Sequence, residues 1–336
     1  QAPYGELYFQ GTVTASATSF DSGFDICIGA VIQPFHGFPS FPPQIPSTGG
    51  VNCVFTAANT SLTALEAIIV GTSGAVGTFN ASDSTIGSLQ NSPWLLAVGI
   101  AGDGSVNLFD GSNVSTGFVS IGPNGGTGTI AVSGIGTQLH TVPTSFQQPA
   151  GADIGNGSVL LSDDATWTLT ANQSNGSSGP FVGGNVNISS SGLLAILSGA
   201  RVAAARLNES TGSILQIGLD ADLSVANGQL DVGIAADFAG TLEIIFEKGF
   251  VPTIGEHFQL FSFASETGHF SSIDVPPGYA IDTSSLYSTG TITVTAVPEP
   301  ASTAVTLLGG LVLLGRRRCR LQTFAATNNG CAVKAC

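Results

Sequence analysis

The chain of 336 residues carries 22 acidic and 8 basic side chains, a formal charge of -14, and only 9% of its residues are charged. So few cations exclude a nucleic-acid-binding protein, which neutralises phosphates with clustered Lys and Arg. The 45 glycines argue against a helical bundle, and 43% apolar residues argue against disorder.

Residues 1–64 are expected to form a β-rich N-terminal cap. Gln1-Ala2-Pro3 lacks the charged and apolar regions of a secretory leader, so an exported chain would already have lost one. Leu7, Phe9 and Val13 alternate as a strand would, and Pro34 to Pro46 bound a loop rich in Pro and Phe. Cys27 and Cys53 flank that loop, and two readings stay open. A disulfide closing about 26 residues would contribute about 3 kcal/mol in the chain-entropy model. The other reading is a pair of core thiols; export would favour the disulfide.

Residues 65–239 carry a loose repeat. Apolar-Gly pairs recur at Val70-Gly71, Val98-Gly99, Ile121-Gly122, Ile154-Gly155, Ile217-Gly218 and Val232-Gly233, and Ile188-Ser189 would fill the long gap as a degenerate copy. Short alternating strands follow most of them, such as Val106-Asn107-Leu108 and Thr129-Ile130-Ala131-Val132. Strands at such spacings with Gly, Asn and Asp turns predict an all-β solenoid or sandwich. One rung cannot bury its apolar side alone, so the rungs are expected to stack. The stretches at 104–115 and 128–139 resemble autotransporter passenger repeats. That resemblance covers residues 65 to 245 and implies a right-handed parallel β-helix.

Candidate chemistry within this body is sparse. Asp163-Asp164 and Asp220-Ala221-Asp222 offer oxygens of the kind Ca²⁺ takes, but they lack a repeated Gly-Gly-x-Gly-x-Asp array and read as turn aspartates. His36, His140, His257 and His269 form no metal-binding pair, so no metal and no cofactor is expected. No catalytic residue is assigned, because no Gly-x-Ser-x-Gly elbow with matching His and acid is present. Trp94 and Trp167 are the candidate carbohydrate contacts, with core packing or a rung end as the favoured alternative.

Residues 240–296 are expected to close the solenoid as a C-terminal β-cap. The runs Gly240 to Phe246, Phe258 to Phe263 and Thr289 to Ala296 read as strands, and their aromatic weight suits a cap over the last rung's open edge.

Charge changes sign at the end of the chain. Arg201, Arg206 and Lys248 are the only basic residues before position 316, so that part holds all 22 acids and a formal charge of -19, against +5 for the remainder. Such asymmetry marks two segments in two environments. Pro298, Glu299 and Pro300 open residues 297–320; an uncharged, mostly apolar run, 301–315, follows, and Arg316, Arg317 and Arg318 stop it. As a short hydrophobic helix the run would span about 22 Å, less than the roughly 30 Å of a bilayer core. Arginines at its end would remain on the cytoplasmic side.

This order of turn, apolar run and basic cluster resembles the PEP-CTERM sorting signal of Gram-negative bacteria. The tripeptide matches Pro298-Glu299-Pro300 and the basic cluster matches Arg316 to Arg318. The resemblance implies an exosortase as processing partner, transient inner-membrane anchoring through a transmembrane helix, a cut near the tripeptide, and release to the cell surface or the extracellular space. Residues 321–336 depart from the family pattern, which ends soon after the arginines.

The expected protein is therefore a non-enzymatic, exported surface or extracellular-matrix protein with a structural or adhesive role. Its expected contacts are extracellular polysaccharide or further copies of itself. The alternative is a secreted carbohydrate-active β-helix enzyme or polysaccharide-binding protein. A lyase needs a base and cations beside a uronate, and three basic residues before position 316 supply few. A hydrolase needs only a carboxylate pair.

Overall fold

The computed structural model describes residues 7–9, 11–17, 19–22, 26–29, 52–64, 67–72, 74–88, 95–142, 150–170, 184–220 and 227–298. Within them the alternation of apolar and polar residues places every second side chain on the same side of a strand. The strands do not fold back as hairpins. Asp103–Phe109 pairs in parallel with Thr127–Ser133, and Phe118–Ile121 with Gly151–Ile154; in each case the partner is the third strand further along the chain. The product is a β-solenoid with three faces.

The first face runs from Leu7–Phe9 through Ile26–Ile28, Ala67–Thr72, Leu95–Ile100, Phe118–Ile121 and Gly151–Ile154 to Asn185–Ile188. The second is a sheet of ten strands from Gly11–Ser16 to Ser272–Asp274. The third runs from Ser19–Ser22 through Ser61–Ala64, Thr85–Ser88, Asn113–Thr116 and Gln138–Thr141 to Thr166–Leu169. Strands of these faces both precede residue 65 and follow residue 239, in the stretches expected to be separate caps.

One corner then disappears. Arg201–Glu209 pairs with Thr166–Leu169 through its first half and with Asn185–Ile188 through its second. It therefore serves as the third face of one rung and the first face of the next. Gln229–Phe238 stacks on it with a register shift between Ala204 and Arg206, and carries Phe261–Phe263 and Glu266–Gly268 in turn.

Stacking in register turns each inward position into a column. On the second face Phe55, Phe79, Val106, Ile130, Val159, Leu194, Leu215 and Leu242 follow one another. On the third face the column is Leu62, Ile86, Val114, Leu139, Trp167, Val202, Leu230 and Phe261. All are buried in one continuous core. Each fully buried side chain of this size contributes about 1.5–3 kcal/mol relative to exposure.

The apolar-Gly pairs mark the corner between the first and second faces. Ile28, Val70, Val98, Ile121, Ile154 and Ile188 form one inward column, so Ile188-Ser189 does occupy the degenerate position. Gly99 follows Val98 at φ +75°, and a Cβ there would lie 2.1 Å from the Thr127 carbonyl oxygen. The corner thus requires both the left-handed backbone and the missing side chain. Ile217-Gly218 and Val232-Gly233 sit elsewhere: the first lies within the second-face strand Ile214–Leu219, and the second lies where Gln229–Phe238 passes from the third face to the first.

The far end is closed differently. His257–Gln259 and Ala280–Asp282 pair antiparallel with Thr291–Ala296, and a short helix, Leu286–Thr289, packs beside them. Phe238 is the centre of the closing aromatic cluster, with ring centroids 4.7 Å from Phe270, 5.5 Å from Phe261 and 6.1 Å from Tyr287. Among the described residues no helix is long and apolar enough to cross a membrane; the expected helix at 301–315 lies outside them.

Candidate functional surfaces

The corner between the second and third faces is polar inside. Thr60, Ser84, Ser112 and Thr137 are each at most 3% exposed. The last three accept backbone N–H groups from the preceding rung through their hydroxyls: Thr60 N to Ser84 Oγ at 3.1 Å, Ser84 N to Ser112 Oγ at 3.3 Å, and Gly111 N to Thr137 Oγ1 at 3.0 Å. The Thr60 hydroxyl donates to the Ala58 carbonyl. Ser112 Oγ also donates toward the Ala81 and Phe109 carbonyls. The ladder thus satisfies donors that a sharp turn would otherwise leave buried and unpaired. Asn59, Asp83 and Asp110 precede these turns at φ between +48° and +52°, a region Asn and Asp tolerate. On this corner Ala17, Asn59, Thr60, Ser61, Asp83 and Thr85 line a polar depression of about 380 Å³.

Further along the same corner, carboxylates take over from hydroxyls. Glu247 Oε1 accepts the Ser198 N–H at 2.8 Å and its Oε2 accepts the Ser198 hydroxyl at 3.3 Å. Asp220 Oδ2 lies 3.4 Å from that hydroxyl and 3.0 Å from Lys248 Nζ. Gly218 makes room for the group, because a Cβ there would fall on the Glu247 carboxylate. The hydrogen bond from Lys248 to Asp220, reinforced by the Asp220 charge, pushes the ammonium pKa up. Two carboxylates therefore meet, as a hydrolase would require, but each is engaged within the protein. Asp220 is 7% exposed, and Glu247 has a donor on each oxygen. The arrangement fastens three successive turns together.

Outward, register makes polar ladders. Asn107 donates to Asn80 at 2.8 Å on the second face. On the first face Asn208 donates to Asn187, and Asn187 to Asp153, both at 2.7 Å. The two central outward columns of the second face hold Thr12, Val54, Thr78, Ser105, Thr129 and Ser158 beside Thr14, Thr56, Asn80, Asn107, Ala131 and Leu160. None of these side chains is charged.

Several sequence expectations meet the structure directly. Trp167 is fully buried and donates Nε1–H to Thr141 Oγ1 at 3.0 Å. Of the two readings of Trp167, carbohydrate contact and core packing, the core position is the one it occupies: its strand alternation turns it inward, and its polar atom is already used. Trp94 lies outside the described residues. Cys27 and Cys53 are both buried, and no disulfide joins them. Ile26 and Ile28 face the core, so alternation sets Cys27 on the opposite side of its strand, whereas Cys53 shares the inward side with Phe55 and Ala57. Burial pushes the Cys53 thiol pKa up. Asp163 and Asp164 are left-handed turn residues at φ +53° and +65°. Asp222 lies outside the described residues, within which no cluster of metal-ligating side chains occurs. Pro298 packs against the turn at Gly278, while Glu299, Pro300 and Arg316 to Arg318 lie outside the described residues.

Glu209 is the residue that sequence reading passed over. It follows Ile188 in the first-face corner column, whose positions from Ile28 to Ile188 are filled by Ile or Val. It is 7% exposed; its Oε2 accepts the Ala239 N–H at 3.3 Å, and its Oε1 is buried without a hydrogen-bond partner. Burial pushes the carboxyl up to about 7, opposed by the Ala239 and Gly240 N–H groups and helped by the neighbouring Asp237 charge. Comparison with protein-family models, curated proteins and solved structures gives no match for this chain.

Proposed function

We propose that the chain is an exported bacterial cell-surface or extracellular-matrix protein with a structural or adhesive role, built on a right-handed parallel β-helix. The observation that carries this reading is the second face: two adjacent outward columns of hydroxyl, amide and aliphatic groups with no charge over six rungs. Rungs about 4.8 Å apart repeat those groups along a rigid sheet. Such a surface offers a neutral polymer many equivalent weak contacts, whose sum sets the avidity. It offers no fixed charges with which to hold a polyanion.

Delivery would follow from the Pro298-Glu299-Pro300 signal. Thr291–Ala296 is the central strand of the closing sheet, so the tripeptide begins two residues after its end. An exosortase acting there would leave the solenoid intact and discard the short hydrophobic helix with Arg316 to Arg318. Purified residues 1–297, incubated with a panel of neutral and acidic polysaccharides, test the adhesive role. Binding to neutral polymers without turnover is expected, and chain cleavage would overturn the reading in favour of a carbohydrate-active enzyme. Intact-mass analysis of the protein from its native surface tests the sorting step: loss of the mass beyond the tripeptide is expected.

A further inference from the structure

The turn at Ala239-Gly240 joins Glu209 to the closure of the solenoid. Its N–H groups face the Glu209 carboxyl. Its carbonyls both accept the Ser271 N–H, from Ala239 at 3.0 Å and from Gly240 at 2.7 Å. Phe270, one residue earlier, donates its N–H to Tyr287 Oη at 2.9 Å on the closing helix. The next residue in the Glu209 column is Phe238, one step beyond the Asn208–Asp237 pair and the centre of the aromatic cluster. A carboxyl set between Ile188 and Phe238 in a buried apolar column thus holds the same two-residue turn that docks the last rung.

We propose that Glu209 is a proton-operated latch: protonated, it keeps Glu266–Gly268, Ser272–Asp274 and the aromatic closure docked, and ionised, it opens the 239–240 turn and lets that rung come away. The reason is the balance of neighbours. Among the described residues, the charged and titratable groups on the elements packed around it are Asp237, Glu266, His269 and Tyr287. None is a fixed cation, and Arg206 on the same strand is exposed. An ionised carboxylate there has backbone N–H donors, one unpartnered oxygen and the Asp237 charge beside it. A buried anion without a counter-charge gains most by reaching water. The shortest route to water opens the turn that covers it.

The sign follows from linkage. The folded carboxyl titrates at about 7 and the ordinary value is 4.5, so the protonated form is fully docked at low pH. Docking weakens as pH rises between the two values, and the loss is complete above the folded one. Between pH 5.5 and 8.5 the opening equilibrium should grow on the order of 30-fold. The test is hydrogen exchange read by mass spectrometry on the intact chain, corrected for the intrinsic pH dependence of exchange. In the wild type, protection over 266–274 is expected to fall by that factor across this range while 103–133 holds steady. Glu209→Gln should keep 266–274 protected at both pH values, and Asp237→Asn should reduce the fall. His269→Gln is the control, because an imidazole is the usual titrating group in this range; it should leave the fall intact. Unchanged wild-type protection, an equal fall in Glu209→Gln, or loss of the fall in His269→Gln would overturn the latch. If Glu209→Gln does not fold, the wild-type curve decides: an inflection between pH 6 and 8 that survives in His269→Gln is required.

Discussion

At Gly99 a methyl group would stand 2.1 Å from a carbonyl oxygen while the backbone holds φ at +75°. Gly125 has a similar backbone angle, φ +83°, but a methyl group there would meet nothing within 4 Å. The pair separates two effects that usually travel together. Gly125→Ala bears only the left-handed penalty of about 1–2 kcal/mol. Gly99→Ala adds a collision with backbone that cannot swing aside, so it should lower the thermal midpoint several times further or prevent folding. Equal shifts for the two variants in a melting experiment would show that the corner can relax. Ser112 makes a different point about single residues. Its hydroxyl is fully buried and engages Ser84 N, the Ala81 carbonyl and the Phe109 carbonyl. Ser112→Ala leaves the Ser84 N–H buried without its acceptor and removes the hydroxyl donor from the Ala81 carbonyl, while the Phe109 carbonyl keeps the backbone N–H of residue 112. This should cost about 1–3 kcal/mol. Chemical denaturation should show a lower midpoint with an unchanged slope, since the surface exposed on unfolding is the same.

Between rungs, the Ser198, Asp220, Glu247 and Lys248 corner links turns that are far apart in sequence, 22 residues from Ser198 to Asp220 and 49 to Glu247. Glu247→Ala leaves the Ser198 N–H buried without an acceptor and should destabilise by about 1–3 kcal/mol. A double-mutant cycle with Ser198→Ala should give a coupling of about 0.5–3 kcal/mol; a coupling near zero would mean that the turns do not hold one another. Such a site is illegible in the sequence because stacking, not local spacing, assembles it. The corners between the first and second faces were legible as far as Ile154-Gly155, because each rung repeats an aliphatic residue and then Gly. Two later pairs misled: Ile217-Gly218 belongs to a second-face strand and Val232-Gly233 to the passage from third face to first. The first-to-second corners of those rungs follow Glu209 and Phe238 and carry no aliphatic-Gly pair. Ile28-Gly29 belongs to the same column but stands among residues that read as a separate cap. The hydroxyl ladder did leave a signal: Asn59-Thr60, Asp83-Ser84, Gly111-Ser112 and Gly136-Thr137 each precede a polar-apolar strand start. Its rungs are unevenly spaced, 24 and 28 residues between the first three hydroxyls, which hides it from a search for a fixed period. Glu209 left none, because a polar residue at a strand end is ordinary until the column reveals what it replaces.

Taken as a whole, the molecule is close to one-dimensional: each rung touches only the rungs on either side, so stability is a sum of nearest-neighbour terms. That makes the register itself testable. Asp103 pairs with Thr127 and also with Val76, and Gly104 with Gly128 and Gly77. Deleting residues 103–126 joins Gly102 to Thr127 and removes one strand from each face. Phe79 then meets Ile130, Thr85–Ser88 meets Gln138–Thr141, and Leu95–Ile100 meets Gly151–Ile154. The aliphatic columns thus close over the gap with apolar against apolar, and at the hydroxyl corner Ser84 meets Thr137. The bond from Thr127 N to the Gly102 carbonyl already brings the new ends together, at 2.9 Å. The shortened chain should fold cooperatively with the same strand signature in circular dichroism. Its long axis in solution scattering should be shorter by about 4.8 Å, one rung spacing. Deleting residues 103–127 instead joins Gly102 to Gly128 and starts the strand one residue late. Inward residues then meet outward ones, since a slip of one residue reverses the sides of a strand. That chain should aggregate or remain unfolded. If both deletions fold equally well, the columns do not set the register; if neither folds, the rungs are not interchangeable units.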